Sequence, residues 1–349
     1  MKLKFYQAIN HAIHDSMNED KNLIAMGLGI NDKKGIFGTT TGLKEKFGSN
    51  RVLDIPTSEN SITGICIGLA IAGYKTLLTH QRLDFALLSL DQIINNAAKT
   101  HYMYGGSLIC PIVIRMIIGR GWGQGPTHSQ NLQLLFAGIP GLKVVMPCTP
   151  QDAYSQLRAS ISCSDPVIFL EHRWLHNSES DVIKISEDNC LEEQKVIKKG
   201  SDISILAASY MLPEALKASS VLEKEYRVSC EVISFRNYTS RLDSIILNSV
   251  TKTNSLIVAD TAQSNFSIGH QLVLNLCNHL ENIALNQIEL ISMPDIPVPT
   301  SHYLTSGIYN NYKTIVEKVC KVKSIKYIKQ ENDDSLNHDI PGEWFRGPF

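Results

Sequence analysis

Glu59 is the one charge in a long uncharged stretch. It follows Pro56, Thr57 and Ser58 in DIPTSENSITGICIGLAIAGY, and the next fifteen residues carry no charge. Gly64, Gly68, Ala70 and Ala72 interleave there with Ile62, Ile65, Ile67, Leu69 and Ile71. A helix apolar all round is expected to be buried on every side, and its glycines let neighbouring backbones come close. A carboxylate at its start faces the free N–H groups and the positive end of the dipole. Two chemistries fit: a helix-capping acid, or a buried acid kept to exchange a proton with a ligand. A second candidate is His128 in GRGWGQGPTHSQ, where glycine occupies positions 119, 121, 123 and 125. An imidazole that titrates near neutrality can move a proton or steady an anion, and an ordinary surface histidine fits the same place. The glycines do not form GxGxxG at a helix start, and no P-loop occurs.

The elements that must position these residues alternate. NLIAMGLGI, KTLLTH, CPIVIRMIIG, LKVVMP and DPVIFLEHR read as strands, separated by helical stretches. Such alternation predicts a parallel sheet covered on both faces, with functional loops at the strand C-terminal ends. The start, MKLKFYQAINHAIHDSM, spaces Phe5, Ile9, Ile13 and Met17 as one face of an amphipathic helix, which is unlike a signal peptide. Around 177–200 the texture turns polar, and SESDVIKISEDNCLEEQKVIKKG reads as a connection. DISILAAS, RVSCEVISF, SLIVAD and IELIS, with helices between, then predict a second, smaller α/β domain. The tail QENDDSLNHDIPGEWFRGPF reads as either disordered or a docking segment.

Charge and cysteine usage limit the partners. The 349 residues suggest two domains, and a net charge of −1 argues against nucleic acid or a membrane surface as partner. No apolar run is long enough to span a bilayer. Eight cysteines without a CxxC pair read as core thiols of a reduced, cytoplasmic protein.

Six ordered segments resemble one family. GIFGTTTGLKEKFG, RVLDIPTSENSITGICIGLAIAG, DFALLSLDQIINNAAKTHYMYGG, GPTHSQ, PGLKVVMPCTPQDA and DPVIFLE are similar to the β subunit of the E1 component of 2-oxo acid dehydrogenases. ISFRNYTSRLD, NSLIVAD and PDIPVPTS carry a weaker likeness to the family's transketolase C-terminal domain. The resemblance implies two parallel-sheet α/β domains: a pyrimidine-binding domain over 1–178 and a C-terminal domain over 201–329. Between them lies a linker, 179–200, and a tail follows from 330 to 349.

The resemblance also implies roles. Glu59 matches the glutamate that hydrogen-bonds the aminopyrimidine of thiamine diphosphate and promotes the tautomer that activates the thiazolium carbon. Phe85 matches the aromatic packed on that ring, and Gln81 lies in the same cofactor-binding segment. His128 matches an active-site histidine on the substrate side. Ile112, Ser160, Cys163 and Asp165 match a structural potassium site built on carbonyls. No GDG segment is present, so the diphosphate and its Mg²⁺ are expected on a separate α subunit in an α2β2 heterotetramer, with a lipoyl acyltransferase as acceptor.

Three positions depart from the family pattern. Leu28 stands where an acid is usual, and Gln81 and Arg82 in HQRLDF replace an apolar residue and a small hydroxyl one. An arginine there favours a substrate with a second anionic group, or else pairs at a subunit interface. Two other readings stay open: a β-type subunit of a split transketolase or non-oxidative decarboxylase or synthase, and a non-catalytic scaffold.

Overall fold

The computed structural model describes residues 1–184, 190–239, 242–280, 284–328, 338–345 and 347. The chain forms two compact units, one made of Met1–Gly119 and Leu135–Leu191, the other of Arg120–Leu134 and Glu192–Pro348.

In the first unit, β1 (Lys2–Lys4) leads into α1 (Phe5–Glu19), and Phe5, Ile9, Ile13 and Met17 are all fully buried, as their spacing requires. Then come β2 (Leu23–Gly27), α2 (Leu43–Phe47), β3 (Val52–Asp54), α3 (Glu59–Ile71) and β4 (Lys75–His80). The expected single helix after β4 is subdivided. It runs as α4 (Leu83–Ala86), a 3₁₀ turn (Leu87–Ser89), a π turn (Gln92–Ala97) and α5 (Ala98–Met103). Within the π turn, Asn95 and Asn96 donate to Asp91 and Gln92, each four residues back. β5 (Ile112–Ile118), α6 (Gln133–Ala137), β6 (Lys143–Val145), α7 (Pro150–Ser162) and β7 (Val167–His172) follow. A capping box between Thr149 and Asp152, with Pro150 in the first turn, sets the start of α7. The six strands form one wholly parallel sheet in the order β3-β2-β4-β5-β7-β6. β2, β5 and β7 are buried along their whole length, which is why they read as unbroken apolar runs.

The polar stretch 177–200 is more structured than a plain connection. β8 (Glu179–Asp181) pairs antiparallel with β1, and β9 (Lys195–Lys198) joins the second unit's sheet; residues 185–189 of that stretch lie outside the described residues. The second unit continues with β10 (Ile203–Ala208), α8 (Met211–Val221), β11 (Cys230–Phe235), α9 (Ser244–Thr253) and β12 (Leu256–Gln263). It closes with α10 (Gly269–His279), β13 (Ile288–Met293) and α11 (Tyr312–Val322). Its sheet, ordered β13-β12-β10-β11-β9, is parallel except for the antiparallel edge strand β9, so it is mixed where a purely parallel sheet was expected. Lysines at both ends of β9 explain why its sequence reads as linker: an exposed edge tolerates charge that an inner strand would not. Of the marker ISFRNYTSRLD, Ser240 and Arg241 lie outside the described residues, as do 329–337 of the tail and its junction.

One expectation changes, and one open alternative is decided for the described residues. α3 is not buried on all sides: Ile62, Thr63, Cys66, Ile67 and Ala70 face the core, whereas Ile65 is 53% exposed and Ile71 39%. Within this chain the helix covers the sheet with one face only. The described part of the tail is docked, with Phe345 and Asp339 both buried in the second unit. All eight cysteines are free thiols, and among the described residues no helix is long and apolar enough to cross a membrane.

Candidate active site

β2, β3 and β4 end side by side, and short bonds tie their ends together. The Gly29 N–H donates to Asp54 Oδ1 at 2.9 Å, and Gln81 Nε2 donates to the Leu28 carbonyl at 2.9 Å. Glu59 begins α3 just beyond β3. Ser58, its N-cap, makes no side-chain capping bond. The Glu59 carboxylate is half-buried and takes no hydrogen bond from the described residues. The capping role is therefore unused, and an acceptor sits at a helix start with its lone pairs available. Thr63 Oγ1 bonds the Glu59 carbonyl at 2.8 Å, which fixes the first turn beneath it. Phe85 stands in α4, five residues past the end of β4, with its ring half-buried. α3 packs on the Leu87–Ser89 turn that follows, so the acid-bearing and aromatic-bearing segments share one layer of the first unit.

His128 belongs to the second unit. Its Nδ1 lies 3.1 Å from Thr127 Oγ1, and it is half-exposed next to the buried Ser129. The glycines before it serve fixed geometry rather than freedom. Gly121, Gly123 and Gly125 all take positive φ, between 69° and 85°. A Cβ on Gly125 would come within 2.6 Å of Thr300 Oγ1. The Gly121 N–H donates to Tyr309 Oη at 3.0 Å, and Arg120 lies over the Tyr309 ring at 4.9 Å. Trp122 packs edge-on against Phe345 of the tail, and its N–H donates to the Asp339 carbonyl at 3.0 Å. The loop is thus held from both sides within its own unit. Of the sequence-chosen residues, Glu59, Phe85 and Gln81 belong to the first unit and His128 to the second.

The first unit holds its own cavity, about 1010 Å³, lined by Asp32, Lys33, Lys34, Gln81, Arg173 and His176 among others. At its wall, Phe37 carries two guanidiniums: Arg173 at 4.9 Å and Arg82 at 6.0 Å from the ring centroid. Arg82 is only 3% exposed, so it lies inside the unit and does not point outward to a subunit surface. Burial lowers both guanidinium pKa values to about 10, and the charge of Arg173 lowers that of Arg82 further. Deeper still, Arg115 Nη2 meets Glu171 Oε1 at 2.5 Å, with both side chains fully buried. Burial raises the Glu171 pKa against the pull of Arg115. His176 is buried and kept neutral by desolvation and its cationic neighbours, with Nε2 3.7 Å from Glu171. Sequence reading did not find Arg173 and His176. The signal was present in EHRWLH, a run of charged and imidazole groups directly after a strand of a parallel sheet.

Of the residues matched to a potassium site, Cys163 lies near the chain neighbour of Ile112. A small cavity of about 220 Å³ brings Pro111, the neighbour of Ile112, beside Ser162, Cys163 and Ser164. The Ser160 carbonyl accepts the Cys163 N–H at 3.2 Å, and Asp165 pairs with Lys143 at 3.5 Å. Among the described residues no cluster of three or more His, Cys, Asp or Glu side chains could hold a metal.

Comparisons with known proteins agree with this architecture. The model of the transketolase pyrimidine-binding domain matches residues 1–178, and that of the transketolase C-terminal domain matches 192–310. The mitochondrial pyruvate dehydrogenase E1 component subunit beta of Saccharomyces cerevisiae is 32% identical over 330 residues, covering 92% of this chain and 88% of the relative. The acetoin:2,6-dichlorophenolindophenol oxidoreductase subunit beta of Cupriavidus necator is 35% identical over 310 residues, covering 86% and 91%. A solved split-gene transketolase, an inactive beta4 tetramer, superposes with a TM-score of 0.75 at 16% identity, covering 93% and 99%, and so shares the fold. This chain belongs to the E1 beta-subunit family, built from a transketolase pyrimidine-binding domain and a transketolase C-terminal domain.

Proposed function

We propose that this chain is the β subunit of a thiamine-diphosphate-dependent enzyme that decarboxylates a 2-oxo acid and passes the acyl group on. The observation that carries the reading is Glu59: a half-buried carboxylate that no donor among the described residues engages, at the start of α3 and beside the joined ends of β2, β3 and β4. Such a group fits the aminopyrimidine of thiamine diphosphate, which offers the ring nitrogen and amino group that a carboxylate can engage. Phe85 supplies an apolar face for the ring, and Gln81 borders the same segment. Bound, the cofactor supplies the electron sink for loss of CO₂. Glu59 holds and moves one proton at the pyrimidine, and His128 steadies the substrate carboxylate or moves a proton on that side.

The other half of the site belongs, in this reading, to an α subunit that holds Mg²⁺ and the diphosphate, in an α2β2 assembly. A chain with one apolar helix face exposed and no diphosphate-binding motif supports a partner of that kind. A potassium ion held by carbonyls near Ile112, Ser160, Cys163 and Asp165 is part of the proposal, as is a reducing, cytoplasmic setting suited to eight free thiols. A lipoyl acyltransferase is the proposed acceptor. Co-expression with the α partner and a screen of 2-oxo acids for thiamine-dependent CO₂ release tests the reading. Absence of any such release, with the assembly formed and cofactor bound, would sink it. Acyl transfer to lipoamide would separate an E1 enzyme from a split transketolase or a non-oxidative decarboxylase.

A further inference from the structure

We infer that the tail segment 338–347 is a latch on the loop that carries His128, and that Asp339 and Phe345 are positioning residues acting through that loop. Three successive loop residues, Gly121, Trp122 and Gly123, take left-handed backbone angles, with φ of 85°, 50° and 71°. Glycine adopts that region freely, but a residue with a side chain is disfavoured there. Trp122 keeps such a conformation only where its surroundings enforce it. The tail supplies that enforcement. The Asp339 carbonyl accepts the Trp122 N–H at 3.0 Å, and Phe345 meets the indole edge-on with ring centroids 6.5 Å apart. Gly347 lies so close that a Cβ there would come within 2.8 Å of Trp122 Cη2. Backbone and ring of one strained residue are thus both held by a segment distant in sequence.

The tail also grips the segment that supports the other end of the glycine run. Thr300 faces Gly125, where a Cβ would meet its Oγ1 at 2.6 Å. Two residues on, His302 Nδ1 lies 3.2 Å from Asp339 Oδ2, and the His302 ring packs on His338 at 4.2 Å. His338 Nε2 is in turn 2.9 Å from Thr305 Oγ1. Asp339 therefore joins the tail to the loop through its carbonyl and to the 300–305 segment through its carboxylate. Asp339 and Phe345 are both buried, so these contacts are packed ones. His128 follows three positions after Gly125. A shift of about 1 Å at a reacting group can cost about a hundredfold in rate, so a released loop is felt at the imidazole. The tail lies outside the residues that the two domain models match, 1–178 and 192–310, so the domain pattern itself does not supply this hold.

The hold on the loop stands on this geometry; its bearing on turnover rests on the catalytic reading of His128. Hydrogen–deuterium exchange of the purified full chain tests the hold. Phe345→Ala should speed exchange of the amides of 121–128 roughly tenfold, the worth of about one lost contact, while amides of β10 and β12 stay protected. His302→Ala should act in the same direction to a smaller extent. Its side chain is 56% exposed, so this variant keeps its fold even if the Phe345 variant does not. Loop exchange unmoved in every variant that folds would overturn the latch. The assembled enzyme tests the positioning. Phe345→Ala should lower kcat roughly tenfold with KM and cofactor affinity nearly unchanged. In a His128→Ala background the same substitution should cost nothing further, because both changes act through one group. An equal loss in the two backgrounds would overturn the positioning role. Faster loop exchange together with turnover unmoved by His128→Ala would count against the catalytic reading alone.

Discussion

The amide of Gln81 donates to the backbone of Leu28 across 2.9 Å, joining the loop after β4 to the loop after β2. Gly29, the next residue, is tied to Asp54 at the end of β3. Three strand ends are therefore one rigid rim, and Glu59 and Phe85 both leave from it.

The first prediction concerns the half-site. Calorimetry on the isolated chain should show no thiamine diphosphate binding at micromolar concentrations, and binding should appear once the α partner is added. Tight binding by this chain alone would contradict a shared site.

Replacing Glu59 by Gln keeps the shape and removes the proton acceptor. Turnover of the assembled enzyme should fall by roughly two to four orders of magnitude, the usual worth of a positioned acid–base group. The melting temperature should hold, since the carboxylate makes no bond among the described residues. Full activity in the variant would reduce Glu59 to a bystander.

His128→Ala should leave cofactor affinity in the assembled enzyme nearly unchanged while cutting turnover by roughly a hundredfold. The loop should keep its form, because its glycines, Tyr309 and the tail hold it independently of the imidazole. A variant whose cofactor affinity collapses along with its turnover would place His128 on the cofactor instead.

Arg115→Met strands the Glu171 carboxylate in a fully buried place. It should destabilise the first unit by about 3–5 kcal/mol, read as a drop in the urea midpoint. Adding Glu171→Leu should restore most of the loss, because a well-packed apolar pair replaces the ions. A double variant no more stable than the single one would rule out the stranded charge as the cause.

Histidine burial gives a pH signature. Desolvation holds His80 at a pKa of about 4, against 6.5 when exposed, and keeps His176 well below its ordinary value too. Between those pH values the unfolded chain binds protons that the folded chain refuses. Stability is therefore fully present above pH 6.5 and falls as the pH drops toward 4. Each such histidine adds a slope of at most about 1.4 kcal/mol per pH unit. Urea midpoints at pH 7.5, 6 and 5 should decline, and His80→Gln should shallow the decline. An unchanged slope would assign the acid sensitivity to other groups.

Much of this molecule could be read before its coordinates. Strands buried on both faces, such as Ile112–Ile118, carry their assignment in an unbroken apolar run, and α1 shows its period in Phe5, Ile9, Ile13 and Met17. The misses have physical causes. β9 hid in a polar segment because a sheet edge accepts lysine. The glycines around His128 mark a loop in the sequence, and only the backbone angles show that three of them are there to adopt left-handed φ. α3 looked fully buried because composition cannot say who supplies the covering surface. Arg173 and His176 escaped because their meeting with Gln81 and Phe37 depends on β7 lying two strands from β4.

That uncovered side of α3 bears on the life of the chain in the cell. Ile65 and Ile71 expose aliphatic surface that water disfavours, so in the proposed assembly a copy made in excess of its partner is an aggregation hazard and a target for quality control. The steady amount of this subunit should accordingly track the supply of whatever covers the helix, whatever the rate at which its own message is translated.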